Sequence, residues 1–169
     1  MKAVYAGTFD CYTNGHHFIV RKACRLFDEV HLVIAENLEK KRVYPAAAMA
    51  GAIKETLRRE HIGNCRVSIY HGLVAEYCQE NQINYFVRGL RNNLDYSYEE
   101  NVAEVNKLIN PEMDTIYFRA EDIAISSSMV KELHSFGRDV SCYVPPAVWD
   151  YIRNSERRSV PPKMGTVPA

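Results

Sequence analysis

The chain lacks an excess of charge of either sign: 21 Lys and Arg stand against 21 Asp and Glu in 169 residues. Zero net charge supplies no general field for a polyanion, which argues against a nucleic-acid partner and leaves a small anion met by a local basic cluster. Long apolar runs are missing as well. Nothing approaches the ~20 residues of a membrane span, and the opening MKAVYAGTFD has no extended apolar leader, so neither a membrane partner nor export is expected. The cysteines (Cys11, Cys24, Cys65, Cys78 and Cys142) are scattered, odd in number and form no CxxC pair, and the histidines are not spaced with them as ligands. This excludes a disulfide framework and a structural zinc site, and it suits a reduced cytoplasmic protein with no metal-ligating residues of its own. The GK[ST] and GxGxxG phosphate loops are absent, and no Ser/His/Asp set stands out. Cys11 beside His16 is the one nucleophile–base pair by position, and a weak one.

What is present is an alternation. Short β-rich runs at 2–6, 30–35, 66–70, 84–87 and 114–118 alternate with helical stretches. The first helix spans Gly15 to Phe27, with Ile19, Val20, Ala23, Leu26 and Phe27 on one face. The second follows Pro45 with Met49, Ala52, Ile53, Thr56 and Leu57 inward. A third covers 72–81, and Asp95 caps a fourth that places Tyr98, Val102 and Val105 together and ends at Asn110-Pro111. Ser126 or Ser127 caps a fifth, carrying Met129, Val130, Leu133 and Phe136, with Gly137 as its stop. A short last helix follows Pro145-Pro146. With 47% hydrophobic residues the chain can bury one core. The expected architecture is α/β: a Rossmann-like five-stranded parallel sheet with helices on both faces, in one domain over 1–154, with a disordered tail over 155–169.

Ligands of such sheets bind beyond the carboxyl ends of the strands, so the loops after each strand carry the functional expectation. Gly7 to His16 runs from the first strand into the first helix. It offers the hydroxyls of Thr8 and Thr13, two glycines, and His16 on a helical turn with open N–H groups. Lys40, Lys41 and Arg42 follow the second strand. Arg88-Gly89-Leu90-Arg91 ends the fourth, with Arg88 leaving the strand and Gly89 turning the chain; Asp95, Glu99 and Glu100 are the carboxylates that would pair with one arginine. Ile125-Ser126-Ser127-Ser128 starts the fifth helix, either as a redundant cap or as a second anion site. Two helix N-termini and three cations at one sheet edge suit a triphosphate and a second phosphate. Transfer driven by positioning and charge neutralisation then needs no protein nucleophile.

Three motifs, GTFDxxTxGH at 7–16, RGLR at 88–91 and ISSSxVKEL at 125–133, together resemble bacterial phosphopantetheine adenylyltransferases of the nucleotidyltransferase superfamily. The likeness runs over about residues 1–150 and includes DVSxYVPPAV at 139–148. The first motif alone marks only the superfamily. The resemblance implies the nucleotidyltransferase fold and a cytoplasmic homohexamer of coenzyme A biosynthesis. Its members join MgATP to 4′-phosphopantetheine, giving dephospho-coenzyme A and pyrophosphate, with coenzyme A as a feedback ligand and Mg²⁺ arriving with ATP. By matching position Thr8, His16, Lys40 and Arg88 are the catalytic residues. Thr8, Phe9, His16, Gly89, Leu90, Arg91, Glu99 and the run Asp122, Ile123, Ala124, Ile125, Ser126, Ser127 and Ser128 would bind ATP. Thr8, Lys40, Val74 and Arg88 would bind phosphopantetheine.

The chain departs from the family pattern at several points. Ala6 and Cys11 stand where prolines are usual, which would loosen the first loop. Ala46, Ala47 and Ala48 replace an acidic helix start, Asp122 replaces an aromatic residue, and Phe18 is unusual. Two other readings compete. One is a cytidylyltransferase, or another nucleotidyltransferase with a different phosphorylated acceptor. The other is a catalytically weakened protein that binds coenzyme A or nucleotide.

Overall fold

A computed structural model describes residues 1–36, 41–90, 93–120 and 125–159. The elements run β1 (Lys2–Gly7), α1 (Asn14–Leu26), β2 (Glu29–Ala35), α2 (Ala46–Arg59), β3 (Cys65–Tyr70), α3 (Val74–Asn81), β4 (Tyr85–Leu90), α4 (Asn93–Ile109), β5 (Asp114–Arg119), α5 (Ser127–Ser135) and α6 (Pro146–Ser159). A single 3-10 turn, Ser141–Tyr143, precedes α6. The five strands form one parallel sheet in the order β3-β2-β1-β4-β5. This is the expected α/β Rossmann-like sheet.

Burial explains the strand composition. The middle residues of β1 and β2 are covered on both faces, so these strands read as largely apolar runs, broken in β2 by His31, whereas β3 and β5 at the edges are only partly covered. Ile19, Val20 and Ala23 of α1 and Met49, Ile53 and Leu57 of α2 fill the larger core, which also takes in α5 and α6. On the other face Val4, Val33, Phe86 and Met113 meet Ala75, Cys78 and Ile83. The chain winds outward from β1 through β2 to β3, then returns to lay β4 on the opposite side of β1. The strand order therefore reverses between β1 and β4, and a crevice opens beyond their carboxyl ends.

Several local expectations change. The β4 ladder continues past Val87, pairing Arg88 with Tyr117, Gly89 with Phe118 and Leu90 with Arg119. Arg88 is thus a strand residue and Gly89 does not turn the chain. A Cβ on Gly89 would lie 3.1 Å from Ile19 Cγ1, so the glycine allows close packing of α1 on the sheet. Helix α4 begins at Asn93, which puts Asp95 inside the helix and not at its cap. Tyr98 and Val105 of its apolar stripe face outward, as do Leu26 of α1 and Phe136 after α5. Ser126 is the cap of α5, and Gly137 follows it with a φ of +71°. Helix α6 is longer than expected, running through Glu156, Arg157 and Arg158, good helix formers, past residue 155 where the tail was placed. Residues 160–169 of that tail lie outside the described residues.

Candidate active site

A cavity of about 340 Å³ occupies the crevice between β1 and β4. Its walls come from the β1–α1 loop (Thr8 and Phe9), the first turn of α1 (His16), β4 (Arg88 and Gly89) and the start of α5 (Ile125 to Ser127). Three stretches distant in sequence therefore meet at one place because the topology reverses there.

The first loop is firmly held. Asp10, 7% exposed, accepts hydrogen bonds from Tyr44 N at 2.9 Å, Val43 N at 3.1 Å and Lys131 Nζ at 3.0 Å. Burial alone would raise the Asp10 pKa, but these donors outweigh it and hold the carboxyl below its ordinary value. Arg42 Nη1 donates to Thr8 O at 2.7 Å, and Ser127 Oγ donates to Cys11 O at 2.7 Å. The loop that the loss of two prolines was expected to loosen is pinned from α5 and from the segment before α2. Cys11 is fully buried, and burial pushes its thiol up to about 11. A neutral thiol is a poor nucleophile, so the Cys11–His16 pair is not a catalytic dyad.

His16 closes a capping box at the start of α1. Thr13 Oγ1 accepts from His16 N at 3.4 Å while His16 Nδ1 accepts from Thr13 N at 3.1 Å. With Nδ1 an acceptor, the neutral ring carries its proton on Nε2, which suits donation to an oxyanion. The α1 terminus also brings its dipole and open N–H groups to the cavity.

Arg88 is engaged with Glu99. Its Nε and Nη2 meet the two carboxylate oxygens of Glu99 at 2.5 Å each, and Nη1 donates to Ala6 O at 3.0 Å. Of the carboxylates named for this role, Glu99 is the partner. It is buried beneath Arg88 and does not itself line the cavity. Ser126 accepts from Met129 N at 3.1 Å as the helix cap, so two of the three serines already hold protein groups.

Thr8, Phe9, His16, Arg88, Gly89, Ile125, Ser126 and Ser127 are thus gathered around one cavity. Leu90 ends β4 and Ser128 lies exposed on α5; neither lines the cavity. Val74 opens α3 beside Tyr70 and Tyr77, also away from it. Lys40, Arg91, Asp122, Ile123 and Ala124 lie outside the described residues. Sequence reasoning missed Tyr5 and Ile19 in the walls, and the Lys131 clamp on Asp10. Both wall residues had read as core, and Lys131 gave no signal beyond its place in the third motif. Among the described residues no group of His, Cys, Asp and Glu is arranged to hold a metal ion, and no helix is long and apolar enough to cross a membrane.

The cytidylyltransferase-like family model matches residues 4–133. A phosphopantetheine adenylyltransferase of Shouchella clausii is 36% identical over 93% of this chain and 99% of its own length. That of Heliobacterium modesticaldum is 40% identical over 86% and 87%. The chain belongs to the phosphopantetheine adenylyltransferase family. The fold agrees: a Plasmodium falciparum nicotinic acid mononucleotide adenylyltransferase complexed with NaAD superposes with a TM-score of 0.68 at 15% identity, covering 92% of this chain and 95% of that one.

Proposed function

We propose that the protein is a nucleotidyltransferase that joins MgATP to 4′-phosphopantetheine, giving dephospho-coenzyme A and pyrophosphate, a step of coenzyme A biosynthesis. The observation that carries this reading is the meeting of Thr8, His16, Arg88 and the α5 N-terminus around one cavity at the strand-order reversal, in a chain of this family.

The residues act by positioning and charge. The phosphate oxygen of phosphopantetheine attacks the α-phosphorus of ATP in line while the bond to pyrophosphate breaks, so no protein nucleophile is needed. The His16 Nε2–H and the open N–H groups of α1 meet the charge that grows on the α-phosphate oxygens. Arg88, oriented by Glu99, presents its remaining N–H groups to the acceptor phosphate, aided by Lys40. Thr8 fixes the phosphates by its hydroxyl. Gly89 and Ile125 to Ser127 meet the nucleotide in the cavity, with Leu90, Arg91, Ser128 and the run 122–124 assigned to its outer contacts, and Val74 would meet the pantetheine arm beyond the cavity. Mg²⁺ travels with the triphosphate, which suits an ion that keeps several waters and binds through phosphates. Cytoplasmic location, a homohexamer and feedback by coenzyme A belong to the same proposal.

The test is pyrophosphate release from MgATP with and without 4′-phosphopantetheine, with the product weighed by mass spectrometry. Acceptor-dependent release of dephospho-coenzyme A is the expected result. Turnover with CTP in place of ATP, or coenzyme A binding without turnover, would replace this reading.

A further inference from the structure

Consecutive residues on a helix point about 100° apart, so His16 and His17 leave α1 in different directions. Tyr12, just before the helix cap and fully buried, touches both. Its ring lies nearly parallel to the His16 imidazole, at 25° and 5.8 Å between centroids. Its hydroxyl is 3.1 Å from His17 Nδ1. His17, 6% exposed, reaches on with Nε2 to Glu60 Oε1 at 2.9 Å, an oblique contact at the end of α2. Glu60 also meets Arg21 Nε at 3.6 Å. His17 thus stands between Glu60 and the Tyr12 hydroxyl, its Nε2 making no hydrogen bond among the described residues, and ring stacking links Tyr12 to His16 at the cavity wall.

The capping box fixes one edge of the His16 ring, since Nδ1 is held on Thr13 N. Thr13 Oγ1 stands 3.1 Å from the same nitrogen, so these two polar contacts grip the ring at one corner and the neighbouring rings bear on its tilt. Phe9 stands edge-on to His16 at 87° and 5.0 Å and edge-on to Tyr12 at 71° and 5.7 Å, so the three rings form one cluster. Tyr12 supplies the near-parallel surface against which the imidazole lies, and it can do so only if it does not itself rotate. The hydroxyl contact with His17 provides that anchor.

We propose that Tyr12 is a positioning residue for His16: its ring sets the tilt of the imidazole over the cavity, and its hydroxyl contact with His17 holds that ring. Aim matters here because the donor must meet charge that exists only in the transition state, where misplacement by about 1 Å can cost ~10²-fold. The inference rests on the adenylyl-transfer reading of the cavity. It predicts losses in kcat with the KM values for ATP and phosphopantetheine intact, since substrate binding has other holders.

The experiment compares wild type, Tyr12→Phe and Tyr12→Leu by steady-state kinetics and by the ¹⁵N shifts of the His16 ring. Tyr12→Phe keeps the ring and loses the anchor; a fall in kcat of about threefold is expected. Tyr12→Leu loses the ring as well, and a fall of ~30-fold is expected, both with KM within about twofold of wild type. The His16 ring shifts should move in both variants, further in Tyr12→Leu. A structural role alone would lower the melting temperature without moving kcat per folded enzyme or the ring shifts. Either kcat within about twofold of wild type in the folded variants, a loss carried by KM, or unmoved shifts overturns the proposal. Should Tyr12→Leu fail to fold, Tyr12→Phe decides on the same criteria. Wild type that makes no dephospho-coenzyme A removes the adenylyl-transfer reading, while the ring shifts still test the Tyr12–His16 contact.

Discussion

Replacing Arg88 by Ala should damage the fold as well as the site. Arg88 keeps only 22% of its side chain exposed, and Glu99 only 10%. Their bidentate contact is the main compensation for burying the Glu99 carboxylate, since both its oxygens meet the guanidinium. Removing one partner of such a pair leaves an unpaired buried charge, which costs ~3–5 kcal/mol; the remaining exposure of Arg88 favours the lower end, about 3 kcal/mol. For a chain of this size that is a fall in melting temperature of roughly 6–12 °C. In the double variant Arg88→Ala/Glu99→Ala the stranded charge is gone. Its loss of stability should therefore fall short of the sum of the two single losses by ~1–3 kcal/mol. Urea denaturation of the four proteins measures this cycle. Under the proposed function the surviving activity of Arg88→Ala should show a raised KM for phosphopantetheine. A single-variant loss below about 1 kcal/mol, or additivity within ~0.5 kcal/mol, would show that Glu99 does not depend on Arg88 and refute the reasoning.

Three further outcomes are expected. His16→Ala should lower kcat by about 10²–10³-fold while the melting curve stays near wild type, since the half-buried ring acts in the transition state; a near-normal rate would remove His16 from the mechanism. Cys11, buried and with its thiol pushed up to about 11, should resist alkylation in the native protein at neutral pH and react only after denaturation; mass spectrometry of the native protein after iodoacetamide treatment reads this directly. The Asp10 pKa is held below its ordinary 3.8, so the stability it contributes is complete above that value and is lost as pH falls through the folded one. Asp10→Asn should be less stable than wild type at neutral pH, and the gap should close in acid. An unchanged gap between about pH 6 and pH 2 would mean that the Lys131, Val43 and Tyr44 contacts do not favour the carboxylate.

The sequence by itself determined the alternation of elements and hence the parallel sheet. Apolar runs such as Leu32 to Ala35 belong to strands covered on both faces, and the 3.6-residue spacing of Met49, Ile53 and Leu57 marks a buried helix face. It also named most residues of the cavity wall, because open helix termini and small hydroxyl residues after strands carry a local signature. Tertiary structure decided what those residues are bonded to. Arg88 continues the β4 ladder because β5 lies beside it, and Gly89 is small because Ile19 packs over it; neither neighbour is close in sequence. Tyr98 and Val105 repeat like a core stripe yet face outward, since spacing tells which side chains share a helix face and not what covers it. The first loop, read as loosened by two missing prolines, is held by Lys131, Arg42 and Ser127 from up to 121 positions away. Local pattern follows from backbone geometry and is written in neighbouring residues. Hydrogen-bond partners across the crevice exist only once the chain has reversed at β1 and β4, so tertiary structure alone could supply them.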